Sequence, residues 1–291
     1  MTATIPSRVA LVGAGRVGTA VALFLQQSGI DVVGVSSRSP ESQRAAARLL
    51  SCAEFDYRVT LPSADLVLLG VVDAALEEVA DAIAPHIGNG TYVSHFSGSV
   101  GTSPLDKTRA FGGRPCALHP VQAFPDVEAG RARLAGSAWG VTCDEDDAEW
   151  AEAFVRRALK GNPVRVREED RPVWHAAAVM ASNGISALLA IGESLLRSIE
   201  VDEPNAVLDP IAAATIANAR HGGGGGATLT GPVVRGESVI IRRHLDRLVE
   251  TDDDLVTAYA NVVAMIVGAA RAAGRIDADV ADTMTRDVKS R

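Results

Sequence analysis

Arg8–Ser39, with the sequence RVALVGAGRVGTAVALFLQQSGIDVVGVSSRS, decides the fold of this 291-residue chain. A short apolar run ends at Val12, the glycine cluster GAGRVG occupies residues 13–18, and a segment rich in alanine and leucine follows up to Gly29. A second apolar run covers residues 32–35. This order predicts a strand, a helix and a second strand, which is the context that a dinucleotide-binding glycine motif requires.

Each glycine of the cluster has a predicted role. Gly13 permits the tight turn after the strand, Gly15 lets the backbone approach a pyrophosphate, and Gly18 lets the helix pack closely on the sheet. The helix N-terminus offers free N–H groups and a partial positive charge to the phosphates. The predicted cofactor-binding residues of the cluster are Gly13, Ala14, Gly15, Arg16, Val17 and Gly18. A glycine-rich turn without any ligand is the alternative.

The end of the second strand indicates which dinucleotide binds. An acidic residue at this place would accept hydrogen bonds from the ribose 2′-hydroxyl of NAD. The chain has Ser37 and Arg38 there, and an arginine binds phosphate oxygens in a bidentate way. We therefore predict NADP as the cofactor, with Val72, at the end of the apolar run 66–72, as a further contact.

Composition and charge exclude several function classes. The formal net charge of −8 argues against nucleic acid or an anionic membrane as the main partner. Cys52, Cys116 and Cys143 are odd in number and share no close spacing, so we expect buried thiols rather than disulfides, and no metal site. No signal peptide is recognisable. The apolar tract 176–196 contains polar residues and is predicted to be a buried helix rather than a membrane span.

Strands and helices alternate through the first half of the sequence. Beyond the opening unit, the predicted strands are 57–60, 66–72, 91–95, 116–118, 138–142 and 164–166. This alternation predicts an α/β fold with a doubly wound, mostly parallel sheet over residues 1–168. An all-α domain is predicted over residues 169–291, with helices at 171–199, 205–220, 237–250 and 252–273 and a short one after Ile276.

Five motifs together give the sequence a family resemblance: GAGRVG (13–18), HFSGS (95–99), HPVQAF (119–124), WHAAAVMASN (174–183) and TGPVVRG (230–236). The N-terminal half resembles the Rossmann NADP-binding domain of the superfamily of 6-phosphogluconate dehydrogenase, 3-hydroxyacid dehydrogenase and pyrroline-5-carboxylate reductase. The whole chain is similar to bacterial proteins in which a Rossmann-like domain precedes a C-terminal domain of unknown function. Some of these relatives are assigned as ketopantoate-type reductases of keto acids.

The stretch VMASNG, residues 179–184, is similar to the place where hydroxyacid dehydrogenases carry a catalytic lysine four residues before an asparagine. Asn183 matches, whereas Val179 stands at the lysine position. On a regular α-helix Ser182 would lie within about 20° of His175 and Asn183 about 80° away. We predict His175 as proton donor, Asn183 as a catalytic group that holds the substrate oxygen or orients the acid, and Ser182 on the substrate side. A histidine that only packs the helix is the alternative.

Four further residues complete the predicted site. Ser97 and Gly98 lie in a loop that resembles the carboxylate-binding loop of hydroxyacid dehydrogenases, with a simple chain reversal as the alternative. His119 precedes Pro120 as in the HPM stretch of prephenate dehydrogenases, and is a catalytic candidate or a structural ligand of loop carbonyls. Arg235 is predicted to bind a substrate carboxylate or a cofactor phosphate, or else to form a surface salt bridge.

These observations lead to one main functional hypothesis. The chain is expected to be a cytoplasmic NADPH-dependent oxidoreductase that reduces a small carboxylate-bearing carbonyl compound, such as a 2-keto acid. An imine reductase of the pyrroline-5-carboxylate type and a non-catalytic NADP-binding sensor are the alternatives. The resemblance further implies a homodimer formed through the C-terminal domain.

Overall fold

A computed structural model describes residues 4–289, and the chain divides into two compact units between Ser182 and Asn183. The division lies inside a helical segment that begins at Arg171, later than the boundary at residues 168 and 169 expected from the loss of strand character. Each unit has a hydrophobic core of its own.

Among the described residues, the first unit contains an eight-stranded sheet in the order β3-β2-β1-β4-β5-β6-β7-β8. The strands are β1 Arg8–Val12, β2 Asp31–Ser36, β3 Ala53–Glu54, β4 Leu66–Leu69, β5 Tyr92–His95, β6 Arg114–Pro120, β7 Ala138–Cys143 and β8 Asn162–Arg165. The strand order reverses at β1, which pairs in parallel with β2 on one side and β4 on the other. Ligands of open α/β sheets bind beyond the carboxyl ends of the strands at such a reversal.

The sheet is mostly parallel, as predicted, but β7 runs antiparallel to β6. In this pair Cys116 lies opposite Cys143, and His119 lies opposite Gly140. β8 is again parallel to β7. The reversal places β7 directly beside the end of the strand that carries His119.

Both faces of the sheet are covered by apolar side chains. On β4, Leu66 and Leu68 belong to one hydrophobic core, whereas Val67 and Leu69 belong to another. All four are fully buried, which is the pattern of a parallel strand packed on both faces. The unbroken apolar run therefore predicted a central strand correctly, although β4 ends at Leu69 rather than at Val72.

One strand prediction is wrong. Residues 57–60 form a turn, and the neighbouring short strand β3 lies earlier in the chain. The Asp56 carboxylate accepts a hydrogen bond from the N–H of Arg58, and the Asp56 carbonyl accepts one from Val59. Aspartate favours such local turns over strand pairing, and this preference outweighs the β-propensity of the residues that follow.

The helices of the first unit are α1 Arg16–Gln27, α2 Pro40–Leu49, α3 Leu76–Ile83, α4 Asp106–Ala110, α5 Val127–Ala132, α6 Ala148–Arg157 and α7 Arg171–Val179. The helix α2 begins at a serine cap. The Ser39 hydroxyl accepts a hydrogen bond of 3.2 Å from the N–H of Ser42, with Pro40 at the first helical position. This serine cap satisfies an N–H group that the helix itself leaves unpaired.

The second unit is helical, as predicted. A π-helical turn, Met180–Gly184, follows α7 and leads into α8 Ile185–Arg197; then come α9 Pro204–His221, α10 Ser238–Val249, α11 Asp253–Ala272 and α12 Ala278–Lys289. Side chains from α10, α11 and α12 form its core, including Ile241, Leu245, Val263 and Met284. The predicted helices thus exist with small shifts at their ends.

No side chain of the apolar tract 176–196 is buried, although the sequence predicted a buried helix. Among the described residues, α8 has no buried side chain and α7 buries only Arg171. Two helical stretches, Glu168–Arg197 and Asp253–Ala272, are long and apolar enough to cross a membrane by length and composition. The second of these buries four residues within its own unit. Apolar composition predicts that a helix packs against another surface, but it does not indicate which surface.

Candidate functional site

The glycine motif packs against a fourth glycine at the end of β4. A Cβ atom on Gly13, Gly15 or Gly18 would lie 2.7, 2.8 or 2.9 Å from the backbone of Gly70, and a Cβ on Gly70 would lie 2.5 Å from the Gly13 carbonyl oxygen. Gly13 also has a φ of +95°, which favours glycine. The predicted turn and close helix packing are therefore present, and Gly70 is as necessary to them as the motif itself.

The N-terminus of α1 is open to an anion. Its N-cap is Gly15, which offers no side-chain hydrogen bond, and its first turn contains no acidic residue. By contrast, α2 has the Ser39 cap and Glu41 in its first turn. The first N–H groups of α1 and the helix dipole are thus left without a protein-supplied negative partner, which is the arrangement of a phosphate-binding helix.

A cleft of about 290 Å³ lies beside this helix end, at the carboxyl ends of β1, β2 and β4. Predicted residues in its wall are Gly13, Ala14, Gly15, Ser37, Arg38 and Val72, and unpredicted ones include Tyr57, Gly70 and Glu78. Arg38 is exposed, and no partner for its guanidinium is found among residues 4–289. The cleft therefore offers a dinucleotide phosphate two binding groups, the free N-terminus of α1 and the free guanidinium of Arg38.

The other predicted members of the motif lie away from the cleft wall. The Arg16 guanidinium donates to the carbonyl oxygens of Phe124 and Pro125, at 3.4 and 2.9 Å. Val17 packs on the core of the first unit. Arg16 thus connects the start of α1 to the loop after β6.

A carboxylate beside the cleft organises the loop that follows β5. Asp73 accepts hydrogen bonds from the hydroxyl groups of Ser97, at 2.6 Å, and Ser99, at 2.9 Å. The Ser97 oxygen in turn accepts from the N–H groups of Ser99 and Val100. The Ser97 hydroxyl hydrogen is already donated to Asp73. Ser97 can therefore donate to a substrate carboxylate only if this hydrogen bond to Asp73 breaks.

His95 is a structural residue of the same loop. Its Nδ1 accepts the N–H of Ser97 at 3.1 Å, and its Nε2 donates to the Gly101 carbonyl oxygen at 2.6 Å. Burial lowers the pKa of His95 to about 4, with the nearby charge of Arg171 acting in the same direction. Both ring nitrogens are therefore used, and the imidazole is neutral.

His119 is held as a neutral hydrogen-bond donor. Trp174 donates its indole N–H to Nδ1 of His119 at 3.0 Å, so the ring hydrogen is on Nε2. Burial is the main cause that lowers the pKa of His119 to about 4, and the positive charge of Arg171 and the neighbouring His175 act in the same direction. No acceptor for the Nε2 hydrogen is found among residues 4–289.

Gly140 makes room for the indole. It is the β7 partner of His119, and a Cβ there would lie 2.6 Å from the ring nitrogen of Trp174. The tautomer of His119 therefore depends on a glycine of the neighbouring strand.

His175 and His119 meet at Gly98. Their ring centroids are 5.6 Å apart, with the planes at 81°. A Cβ on Gly98 would lie 2.6 Å from His175 Cδ2 and 2.9 Å from His119 Nε2. Three predicted site residues thus converge at one point, and only a glycine lets the loop backbone approach both imidazoles.

A buried arginine lies under this loop. Arg171 is fully buried and donates from Nη1 to the Ser97 carbonyl oxygen at 3.5 Å, while its Nε and Nη2 find no partner among the described residues. Burial lowers its pKa to about 10, against the opposing effect of Glu168. Glu168 accepts the N–H groups of Thr102 and Ser103, at 2.8 and 3.3 Å. The start of α7 is thereby fastened to the loop after β5.

Two further predicted residues lie beyond the first unit. Asn183 and Arg235 belong to the second unit, where Arg235 pairs with Glu237 at 2.8 Å. The angles expected between His175, Ser182 and Asn183 assumed a regular α-helix, whereas residues 180–184 form a π-helical turn. Such turns are frequent at functional sites.

Sequence reasoning missed Gly70, Asp73, Trp174 and Arg171. Gly70 and Asp73 carried a signal, since both follow the apolar run of β4 at the ligand-binding edge. Trp174 and Arg171 became significant only through contacts distant in sequence. Within residues 4–289 no group of three or more His, Cys, Asp or Glu side chains is placed to hold a metal ion.

Solved structures with the same fold cover nearly the whole chain. A Bacteroides fragilis protein described as a candidate NADP oxidoreductase superposes with a TM-score of 0.75 at 22% identity, over 89% of this chain and 97% of its own. A pyrroline-5-carboxylate reductase from Coxiella burnetii gives 0.55 at 16%, over 97% and 98%. A reductive aminase from Aspergillus terreus, in complex with NADPH, gives 0.55 at 17%, over 99% and 93%. At these identities the likeness concerns the fold.

Two family models match the sequence. Residues 4–120 match the model described as a Rossmann-like domain, and residues 137–266 match the one described as a domain of unknown function, DUF2520. No curated protein matches the sequence. The first match contains the glycine motif and His119, and the second contains Trp174 and His175. The chain is therefore a Rossmann-like protein that carries a DUF2520 domain.

Proposed function

We propose that this chain is an NADPH-dependent oxidoreductase that reduces a small carbonyl compound bearing a carboxylate, such as a 2-keto acid of the ketopantoate type. The observation that carries the proposal is the α1 N-terminus without a side-chain cap or acidic residue, next to the exposed guanidinium of Arg38. This pair suits a pyrophosphate and a 2′-phosphate. When bound, NADPH supplies the hydride. The NADPH complex of the similarly folded reductive aminase lends support.

The two histidines provide the chemistry toward the substrate oxygen. Trp174 holds His119 in the tautomer with a hydrogen on Nε2, and the ring stays neutral at physiological pH. The Nε2–H group therefore serves as a hydrogen-bond donor that polarises a carbonyl. His175, edge-on to it at 5.6 Å, is the proposed proton donor as hydride arrives. The proposed substrate contacts stay predictions for four residues, Asn183, Ser182, Ser97 and Arg235.

Two alternatives differ in what the histidines do. An imine reductase of the pyrroline-5-carboxylate type needs less from a dedicated acid, which fits the loss of the lysine at Val179 and the neutral His119. A non-catalytic NADP-binding sensor would retain the cofactor cleft and need no proton donor. The convergence of His119 and His175 on Gly98 favours an enzyme.

We further propose a cytoplasmic protein that forms a homodimer through its helical second unit. An apolar groove of about 390 Å³ between α8 and α9, lined by Ile185, Leu188, Leu208 and Ile211 among others, supports pairing of this unit. Contiguous exposed apolar surface often marks a site of protein–protein contact.

Turnover tests the function directly. NADPH oxidation followed by absorbance, against a panel of 2-keto acids and cyclic imines, should show activity with at least one carboxylate-bearing compound. His175→Ala and His119→Ala should each lower kcat about 100-fold or more, the usual contribution of a positioned proton donor for His175 and of a hydrogen bond to a developing oxyanion for His119. Both variants should leave NADPH affinity within about twofold. His221→Ala, which removes an exposed imidazole of α9, is the matched control. Firm NADPH binding without turnover across the panel would favour the sensor.

Cofactor selectivity tests the assignment of Arg38. Arg38→Asp should weaken NADPH binding about 30-fold, roughly 2 kcal/mol for a lost charge-assisted phosphate contact, and should not weaken NADH binding. Arg44→Asp changes an exposed arginine of α2 outside the cleft wall by the same charge, and should have little effect. Tighter binding of NADH than of NADPH by the natural chain would contradict the assignment.

The neutral state of His119 has a consequence for stability. Its folded pKa of about 4 lies below the unfolded value of about 6.5, so the folded chain binds fewer protons between these pH values. The stabilising contribution is complete above pH of about 6.5 and is lost as the pH falls toward 4. Between pH 7 and pH 4.5 the natural chain should lose about 2 to 3 kcal/mol more unfolding free energy than His119→Gln.

Urea unfolding at the two pH values measures this difference. His86→Gln, which removes an imidazole that is exposed in the folded chain, should behave as the natural chain does. An identical pH dependence of the natural chain and His119→Gln would show that His119 is not held neutral.

A further inference from the structure

Cys116 and Cys143 face each other across the antiparallel pair of β6 and β7. Directly opposite residues of such strands have Cα atoms about 4.5 or 5.5 Å apart, depending on the hydrogen-bond pattern. Disulfides span Cα separations of about 4.4 to 6.8 Å. Both thiols are free in this structure, and each influences the pKa of the other. The backbone therefore already has the spacing that a disulfide requires.

The two thiols differ in access. Cys116 is fully buried inside the first unit, whereas Cys143 is half-buried and lines a cleft of about 490 Å³. The rim of this cleft includes Thr102, Ser103 and Arg165. A small polar oxidant can therefore reach Cys143, while Cys116 is reachable only from the sulfur of Cys143.

The two sulfurs are also chemically unequal. The neighbouring Cys116 thiol lowers the pKa of Cys143, whereas the Cys143 thiol raises the pKa of the buried Cys116. The thiolate is the reactive form of cysteine. Cys143, the more accessible of the two, is thus the better nucleophile. The buried Cys116 is placed to react with the oxidised sulfur of Cys143. Cys52 differs, since burial raises its pKa to about 11.

We propose that Cys116 and Cys143 are a redox-modification site, in which a small hydroperoxide oxidises Cys143 and Cys116 closes an intrachain disulfide. The Cys143 thiolate attacks the peroxide, so that an S–O bond forms, the O–O bond breaks and hydroxide or alkoxide leaves, giving a sulfenic acid. The Cys116 sulfur then attacks the Cys143 sulfur and loses its proton. An S–S bond forms, the S–O bond breaks, and water leaves. Two thiols are oxidised and one peroxide is reduced.

The cross-link lies on the strand pair that supports the candidate site. Cys116 precedes His119 on β6, and Cys143 follows Gly140 on β7, so the same ladder pairs the two cysteines and the residues under Trp174. The disulfide would fix the register of that ladder. This inference does not depend on the proposed reaction, because it rests on the two cysteines and their surroundings and not on the cofactor cleft or the histidines.

Thiol chemistry of the full-length chain tests the proposal. The chain is treated with hydrogen peroxide, the remaining thiols are alkylated, and the peptides are mapped by mass spectrometry without reduction. We expect one intrachain disulfide that joins the Cys116 and Cys143 peptides and costs the protein two hydrogens, with Cys52 alkylated. A dithiol reductant should restore both thiols. Mapping of the natural chain alone decides the matter, whether or not a variant folds.

Three serine variants identify the order of events. In Cys116→Ser, Cys143 should stop at a sulfenic acid that dimedone traps. In Cys143→Ser, Cys116 should stay reduced because no oxidant reaches it. Cys52→Ser, the matched control, should form the disulfide as the natural chain does. Oxidation of Cys52 before Cys143, disulfides only between chains, or a Cys116–Cys143 pair that stays reduced while the chain remains folded would overturn the proposal.

Discussion

The backbones of the glycine motif and of Gly70 touch with no side chain between them, and the cofactor end of the first unit depends on that contact. The N–H of Gly70 donates to the Val12 carbonyl oxygen, and the N–H of Gly13 donates to that of Ser36. These bonds fix the ends of β4, β1 and β2 relative to one another. They thereby place the free N-terminus of α1 and the free guanidinium of Arg38 on one cleft.

Burial is the second constraint, and it sets the chemistry of the loops after β5 and β6. Two imidazoles, His95 and His119, are neutral because they are buried near the guanidinium of Arg171. Both ring nitrogens of His95 form hydrogen bonds within the loop itself, whereas His119 keeps an N–H donor on Nε2. The difference separates a residue that holds the loop from one that can act on a ligand.

Local patterns predicted the fold well and the site in part. The glycine cluster and the apolar run of β4 are signals within a few residues, so the strands, the first helix and the cofactor edge followed from them. The antiparallel β7, the Trp174 bond to His119 and the fit of Gly98 and Gly140 arise from contacts distant in sequence. The regular α-helix assumed from His175 to Asn183 is interrupted by a π-helical turn, whose hydrogen bonding has no clear sequence signal.

The most direct measurement of the central claim is the NADPH affinity and thermal stability of Gly70→Ala. A Cβ at this position would lie 2.5 Å from the Gly13 carbonyl oxygen, so the motif must move; the expected result is an NADPH dissociation constant raised about tenfold or more, with a lower Tm. Gly268→Ala is the matched control, because its Cβ meets nothing within 4 Å on α11. Unchanged NADPH affinity and stability in Gly70→Ala would contradict the account.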